Sequence, residues 1–537
     1  GNDGNTISNS NIGPAGVNLP LKSIYGKGST ASTAIGNSGI AITNNNIYDY
    51  FNAGDHSVGI FTDGGCNSWS ITNNKFYQTA GRAWIGGLTY QHSAIWITNS
   101  LATSGAQLFT ITGNIIGYAT NTQTGTYTVS GPLGKFIGIY YYGITGLTST
   151  ISGNTISAVS LTGITTVSDP FVAIFIASGA VTSNLNIIGS QSTTGSINVS
   201  TTSGSPAFIV GIYKSGADNW TSNSNTIGGI TANNASTGNL QIYCLRAWMG
   251  ATLTWTCNNN IIGGTVPNSI QNTTAGFASR VAGITNDNSI MTATANTVRN
   301  LTANGRVEGI DNEFDATISS NTISNLTLQS TASSYLGAII SSVGAVSIFS
   351  NSINSLITTG VSGMCLGVYI ANGTSADVYS NIISTITSQS GAYGIYIQTG
   401  TTVNVYSNTI NTISNSGVSS VTGMELIGAT GTIVDAYSNT INNLTTSGSG
   451  TVYGMAFTGA ATTVNAYKNK IYDLSGSHAG SLVYGGYVGS SRPATLNFYN
   501  NFIGDLRNTI ATGTGIAIAG YYSASTTATS TQNVYFN

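Results

Sequence analysis

"VNVYSNTINTIS", residues 403–414, carries no charge and spaces its apolar residues among three asparagines and two threonines. The chain restates it as "VDAYSNTINNLT" from Val434 and as "VNAYKNKIYDLS" from Val464. A phrase recurring at about thirty residues is the mark of a solenoid, in which each repeat is one structural unit stacked on the last. Within the phrase, Val403 and Val405 are apolar and Asn404 between them is polar; Val434, Asp435 and Ala436 repeat the pattern, as do Val464, Asn465 and Ala466. That period of two predicts a half-buried strand. After the asparagine of "SNTI", Ile410 and Ile413 open a second apolar strip, matched by Ile441 and Leu444 and by Ile471 and Leu474.

Taking that asparagine as an anchor extends the repeat in both directions. Anchors fall at Asn5, Asn46, Asn74, Asn114, Asn154, Asn186, Asn225, Asn260, Asn296, Asn321, Asn351, Asn381, Asn408, Asn439, Asn469, Asn501 and Asn537. A third strip precedes the anchors, as "GAII" at Gly337, "GVYI" at Gly367, "GIYI" at Gly394, "GMEL" at Gly423 and "GMAF" at Gly454. Three short strands per turn predict an all-β, right-handed parallel β-helix of about 16 coils, each of roughly 25–41 residues. Residues 1–320 read as irregular coils with loop insertions, and residues 321–537 as regular coils of about thirty residues along the same continuous solenoid. Asn351, Asn381, Asn408, Asn439, Asn469 and Asn501 are expected to stack into an internal ladder that satisfies buried amides. The chain opens and closes on anchors with no polar cap, so further coils, another domain or another protomer are expected at its ends.

Composition narrows the function classes. Of 537 residues, 6% are charged, against a usual share of about 25%. The 40% hydrophobic content argues against disorder. A net charge of −2 with only 14 scattered basic residues gives no electrostatic footprint for nucleic acid. No apolar run approaches the roughly 20 residues of a membrane helix, so membrane insertion is not expected. Cys66, Cys244, Cys257 and Cys365 show no metal or disulfide spacing and read as buried thiols, although Cys244 and Cys257 could pair. The low charge and heavy use of Asn, Thr, Ser and Gly predict a secreted, extracellular, cell-surface protein.

The stretch "GIYIQTGTTVNVYSNTINTIS" resembles the repeat of right-handed parallel β-helix proteins. More narrowly, it is similar to very large secreted and surface proteins of the Bacteroidota type, often exported by type IX secretion. The resemblance spans essentially the whole chain and is strongest from Asn321 to Asn501. It implies the fold; lyases, hydrolases, adhesins and fibres all use that fold, so activity does not follow from it.

Two surfaces stand out. Tyr379, Tyr406, Tyr437, Tyr467 and Tyr499, flanked by Phe349 and Tyr535, occupy one outward column. Such a ladder either stabilises itself by stacking or serves as a contact face for another protomer, another cell-surface protein or a glycan. The second is the carboxylate-rich segment with Asp287, Arg299, Arg306, Glu308, Asp311, Glu313 and Asp315. If Gly283 and Gly309 align, Asp287 and Glu313 lie one coil apart, near the ~5 Å separation of a retaining glycosidase pair. Related β-helix enzymes use carboxylates on neighbouring coils with calcium or an arginine base. Asp287, Asp311, Glu313, Asp315 and Arg306 are therefore the candidates for a polysaccharide lyase or hydrolase, with calcium near Asp311 and Glu313. The competing reading is an outward ion-pair network with Arg299 and Arg306, or an incidental cation site. Asp287 and Asp311 both fall on polar-facing registers. His56, His92 and His478 lie far apart with no spacing for a triad or a metal site, and no cofactor is expected. The six tryptophans all fall in the first half, beside the longer loops, where they either bind or merely cover irregular backbone. The reading preferred overall is a non-enzymatic structural or adhesive solenoid.

Overall fold

Val403, Val405, Ile410 and Ile413 are buried at 0–1% exposure, while Asn404 and Tyr406 stay half-buried on the opposite side. The alternation thus sets the inside and outside of each strand. The computed structural model describes residues 3–29, 35–85, 89–98, 108–165, 167–236, 239–276, 278–330, 334–512, 515–524 and 530–535. The anchor Asn537 lies outside them. Two compact units divide at 290/291, Gly1–Ile290 and Met291–Asn537. No α-helix occurs among the described residues, and both units are right-handed parallel β-helices.

One coil of the second unit runs through the strands Ala392–Ile397, Thr402–Tyr406 and Thr409–Asn415. Each pairs in parallel with its counterpart one coil on: Ile395 with Met424, Val403 with Val434, Ile410 with Ile441. Like therefore stacks on like, and a coil buries its apolar side chains only because neighbours cover them. The first unit obeys the same rule with strands of two to nine residues. There Ile71, Ile111 and Ile151 form one inward column, and Ile95, Ile139, Ile174 and Ile212 another.

The bends come from backbone conformation. The residue before the anchor is left-handed in coil after coil: Ser407, Ser438 and Lys468 have φ of 56°, 55° and 57°. A second left-handed residue follows four positions after the anchor, at Thr385, Thr412, Asn443 and Asp473, with φ of 53–57°. The first set turns the chain from one sheet into the next, and the second bends it within a strand, in both cases without a glycine. At the third strip glycine is required for another reason. A Cβ on Gly394 would meet the carbonyl oxygen of Gly423 and Cγ2 of Ile410, both at 2.5 Å. That column continues at Gly423 and Gly454, but Gly337 is not part of it: the register sets Gly337 opposite Leu366, and so Ala338 opposite Gly367.

The anchor asparagines form an unbroken hydrogen-bonded ladder within each unit. In the second it runs from Asn296 through Asn321, Asn351, Asn381, Asn408, Asn439 and Asn469 to Asn501, every Nδ2 donating to the next Oδ1 at 2.9–3.0 Å. In the first it runs from Asn45 to Asn260 at 3.0–3.1 Å. Two anchors are corrected here. Asn45, not Asn46, holds the corner; Asn44 takes the left-handed bend, and Asn46 lies on the following strand, bonded to Asn11. Asn5 is exposed, and its coil meets the ladder through the backbone N–H of Ser10, which donates to Asn45 Oδ1 at 3.0 Å.

Candidate functional site

The tyrosine column sits on the outward face of the strands that enter the ladder corner. Phe349, Tyr379, Tyr406, Tyr437, Tyr467, Tyr499 and Tyr535 stack face to face, with centroids 4.8–5.3 Å apart and planes within 9°. The spacing follows the strand spacing of about 4.8 Å, which leaves each ring in contact with both neighbours. Two residues earlier on the same face a polar column is bonded rung to rung. Asn404 donates to Asp377, Asn465 to Asp435, Asn497 to Asn465 and Asn533 to Asn497, each at 2.7 Å. Both columns are pre-ordered, so a partner docking on this face would immobilise few side chains.

The carboxylate segment has a different character. In the first unit, Asp287 Oδ2 accepts from Arg246 Nε at 2.8 Å and Oδ1 from Nη2 at 3.4 Å. Arg246 also lies 4.3 Å over the ring of Tyr243. Burial works against its charge, and Asp287 more than offsets this, leaving the guanidinium pKa raised. In the second unit, Glu308 is 1% exposed and accepts from the Tyr335 hydroxyl at 2.7 Å. Arg306 Nη1 donates to the same hydroxyl at 3.2 Å and stands 3.9 Å from Glu308. Asp315 accepts from the Ala345 N–H at 2.8 Å. Glu313 is exposed. Asp311 corrects the alternation: it occupies an outward column, paired with Ile340, yet is only 4% exposed. Among the described residues no three His, Cys, Asp or Glu side chains converge as metal ligands.

Other clusters escaped the sequence pattern. In the first unit Ser57 Oγ lies 2.7 Å from His92 Nδ1, and His92 Nε2 contacts the Tyr127 hydroxyl. Ser57, His92 and Tyr127 are all fully buried, so this pair has no route to a substrate. Burial drives the His92 pKa down to about 3. Also in the first unit, Tyr25, Phe61, Trp96, Tyr140, Phe175 and Tyr213 form an outward aromatic column with centroids 5.0–5.7 Å apart. Trp220 and Trp255 are instead core residues stacked at 4.9 Å, their indole N–H groups donating to Ser183 and Ser222. All four cysteines are buried thiols.

In the second unit a cavity of about 260 Å³ opens beside Glu425, between Tyr393 on one side and Tyr453 and Tyr487 on the other. Thr458 Oγ1 donates to Glu425 Oε1 at 2.7 Å. Burial pushes the Glu425 carboxyl pKa up, and the Thr458 hydrogen bond opposes it. Glu425 is the third letter of "GMEL", where alternation alone reads it as one more outward polar residue.

The architecture defines both units as parallel β-solenoids. Against family models, curated proteins and solved structures, the chain matches none.

Proposed function

We propose that this chain is an extracellular structural or adhesive β-solenoid, a surface adhesin or a sheath or filament component. Its working part on this reading is the repeated Thr–Asn–Tyr face of the second unit. The observation that carries the reading is the seven-ring stack from Phe349 to Tyr535 beside its hydrogen-bonded Asn/Asp column. An ordered, charge-poor, tyrosine-rich face favours contact with another protomer, another surface protein or a glycan, because few charges must be desolvated. The resemblance to secreted Bacteroidota-type surface proteins supports the same placement outside the cell.

A lyase or hydrolase reading draws on the carboxylate segment. The partners of Asp287, Glu308 and Asp315 are those of structural ion pairs and turn contacts, which favours the non-enzymatic reading. Sedimentation velocity and electron microscopy of the purified chain provide the test, beside depolymerisation assays on uronic-acid polymers with and without calcium. Concentration-dependent association, weakened by Tyr406→Ser combined with Tyr437→Ser, is the expected result. Dispersed monomers that cleave the polymer, with cleavage lost in Asp311→Asn or Glu313→Gln, would overturn it.

A further inference from the structure

The outward column of the third strip in the second unit reads Tyr369, Tyr396, Glu425, Ala456, Tyr487 and Tyr522, coil by coil. Rings fill it on both sides, but at Glu425 and Ala456 it carries a carboxylate and a methyl group. At about 4.8 Å per coil, the Tyr396 and Tyr487 rungs are roughly 14 Å apart, which leaves a notch with aromatic ends. Tyr453, from the adjacent column, leans into it with its centroid 4.7 Å from that of Tyr487 and a 47° tilt. The polar groups lining the cavity beside Glu425 are hydroxyls: Ser420, Thr422 and Thr458, with the three tyrosines.

We propose that this notch binds one pyranose ring of a neutral glycan. Three features point to that chemistry. First, a tyrosine ring offers a flat apolar face for the C–H side of a sugar and a hydroxyl for its polar edge. Second, Glu425 Oε1 receives Thr458, while among the described residues Oε2 receives no hydrogen bond and no Lys or Arg forms an ion pair with the carboxylate. A partly desolvated carboxylate of this kind is a strong acceptor for hydroxyl donors, and vicinal sugar hydroxyls supply two. Third, the surrounding hydroxyls both donate and accept, which matches a polyol. An organic cation would use the rings and the carboxylate but leave those hydroxyls without a role. An anionic sugar would meet the charge of Glu425.

The site is separate from the stacked tyrosine face and does not depend on its role. It is tested by saturation-transfer NMR on the full chain with the methyl glycosides of glucose, galactose and mannose. Methyl glucuronide and tetramethylammonium serve as charged probes. Transfer to the ring protons of at least one neutral glycoside is expected. Its affinity should fall at least about tenfold in both Glu425→Ala and Glu425→Gln, while Tyr406→Ala, in the stacked column and outside the cavity lining, leaves it unchanged. Circular dichroism confirms that the variants keep their strands, and the near-isosteric Glu425→Gln answers if Glu425→Ala does not fold. The proposal fails if no neutral glycoside shows transfer, if transfer survives both Glu425 variants, or if only tetramethylammonium or the glucuronide binds.

Discussion

Asn408 Nδ2 donates to Asn439 Oδ1 at 3.0 Å and to the Val378 carbonyl at 2.8 Å, while its own Oδ1 accepts from Asn381 N and Nδ2. One buried amide therefore ties three successive coils. Asn408→Ala orphans groups on both sides and is expected to cost about 2–4 kcal/mol. Asn408→Asp keeps the acceptor but loses both donations and sets a carboxylate against two oxygens, so it should be at least as damaging. Thermal and urea unfolding of the two variants measure this; wild-type midpoints would remove the ladder from the stability account.

Thr412 is β-branched yet sits at φ 56°, where Asn443 occupies the equivalent place one coil on. Asparagine tolerates that region far better than threonine. Thr412→Asn should stabilise the second unit by about 0.5–1 kcal/mol. Thr412→Val keeps the strain and loses the hydroxyl that accepts from Asn443 Nδ2, so it should lower the midpoint.

His92 gives the first unit a signature in acid. Its folded pKa is depressed from the ordinary 6.5 to about 3, first by burial and then by the nearby charge of Arg82. The fold holds the neutral imidazole, so its contribution is fully present above the unfolded pKa. It is lost as pH falls from about 6.5 toward 3. The midpoint of the transition reporting the first unit should decline through that window. His92→Gln should lower stability at neutral pH and flatten the decline; an unchanged acid profile in this variant would assign it to other groups.

Arg246 and Asp287 are expected to couple energetically. Their side chains are 14% and 19% exposed. Asp287→Ala leaves a mostly buried guanidinium without its carboxylate, at a cost of about 1–3 kcal/mol. Arg246→Met with Asp287→Leu should recover much of that, and a double-mutant cycle on unfolding midpoints reads the coupling. Purely additive effects would mean the pair contributes nothing as a pair.

Much of the fold was legible because the solenoid repeats its instructions. The alternation Val403, Asn404, Val405 and the spacing from Asn408 to Asn439 determine strand, face and corner. Legibility failed where one position had rivals or a substitute. "NNN" at 44–46 offers three asparagines, and only the left-handed bend at Asn44 decides that Asn45 turns inward. At Ser10 a backbone N–H meets the ladder, so no anchor letter marks the coil. The glycine column absorbs Ala338, which shifted the apparent register of "GAII" by one. Site chemistry was less legible still. Arg246 reaches Asp287 across 41 residues of sequence, and the surroundings of Glu425 come from tyrosines on three other coils.

Every amide of the asparagine ladder points the same way, donor toward the later coil and acceptor toward the earlier. Each unit thus contains a row of aligned dipoles running its length, and each hydrogen bond polarises the next. Such a row has a sense. Flipping one amide would set donor against donor on one side and acceptor against acceptor on the other, so a lone reversal is penalised twice. The corner therefore selects for one side-chain length and for one orientation of a nearly symmetric group, and it passes that choice from rung to rung.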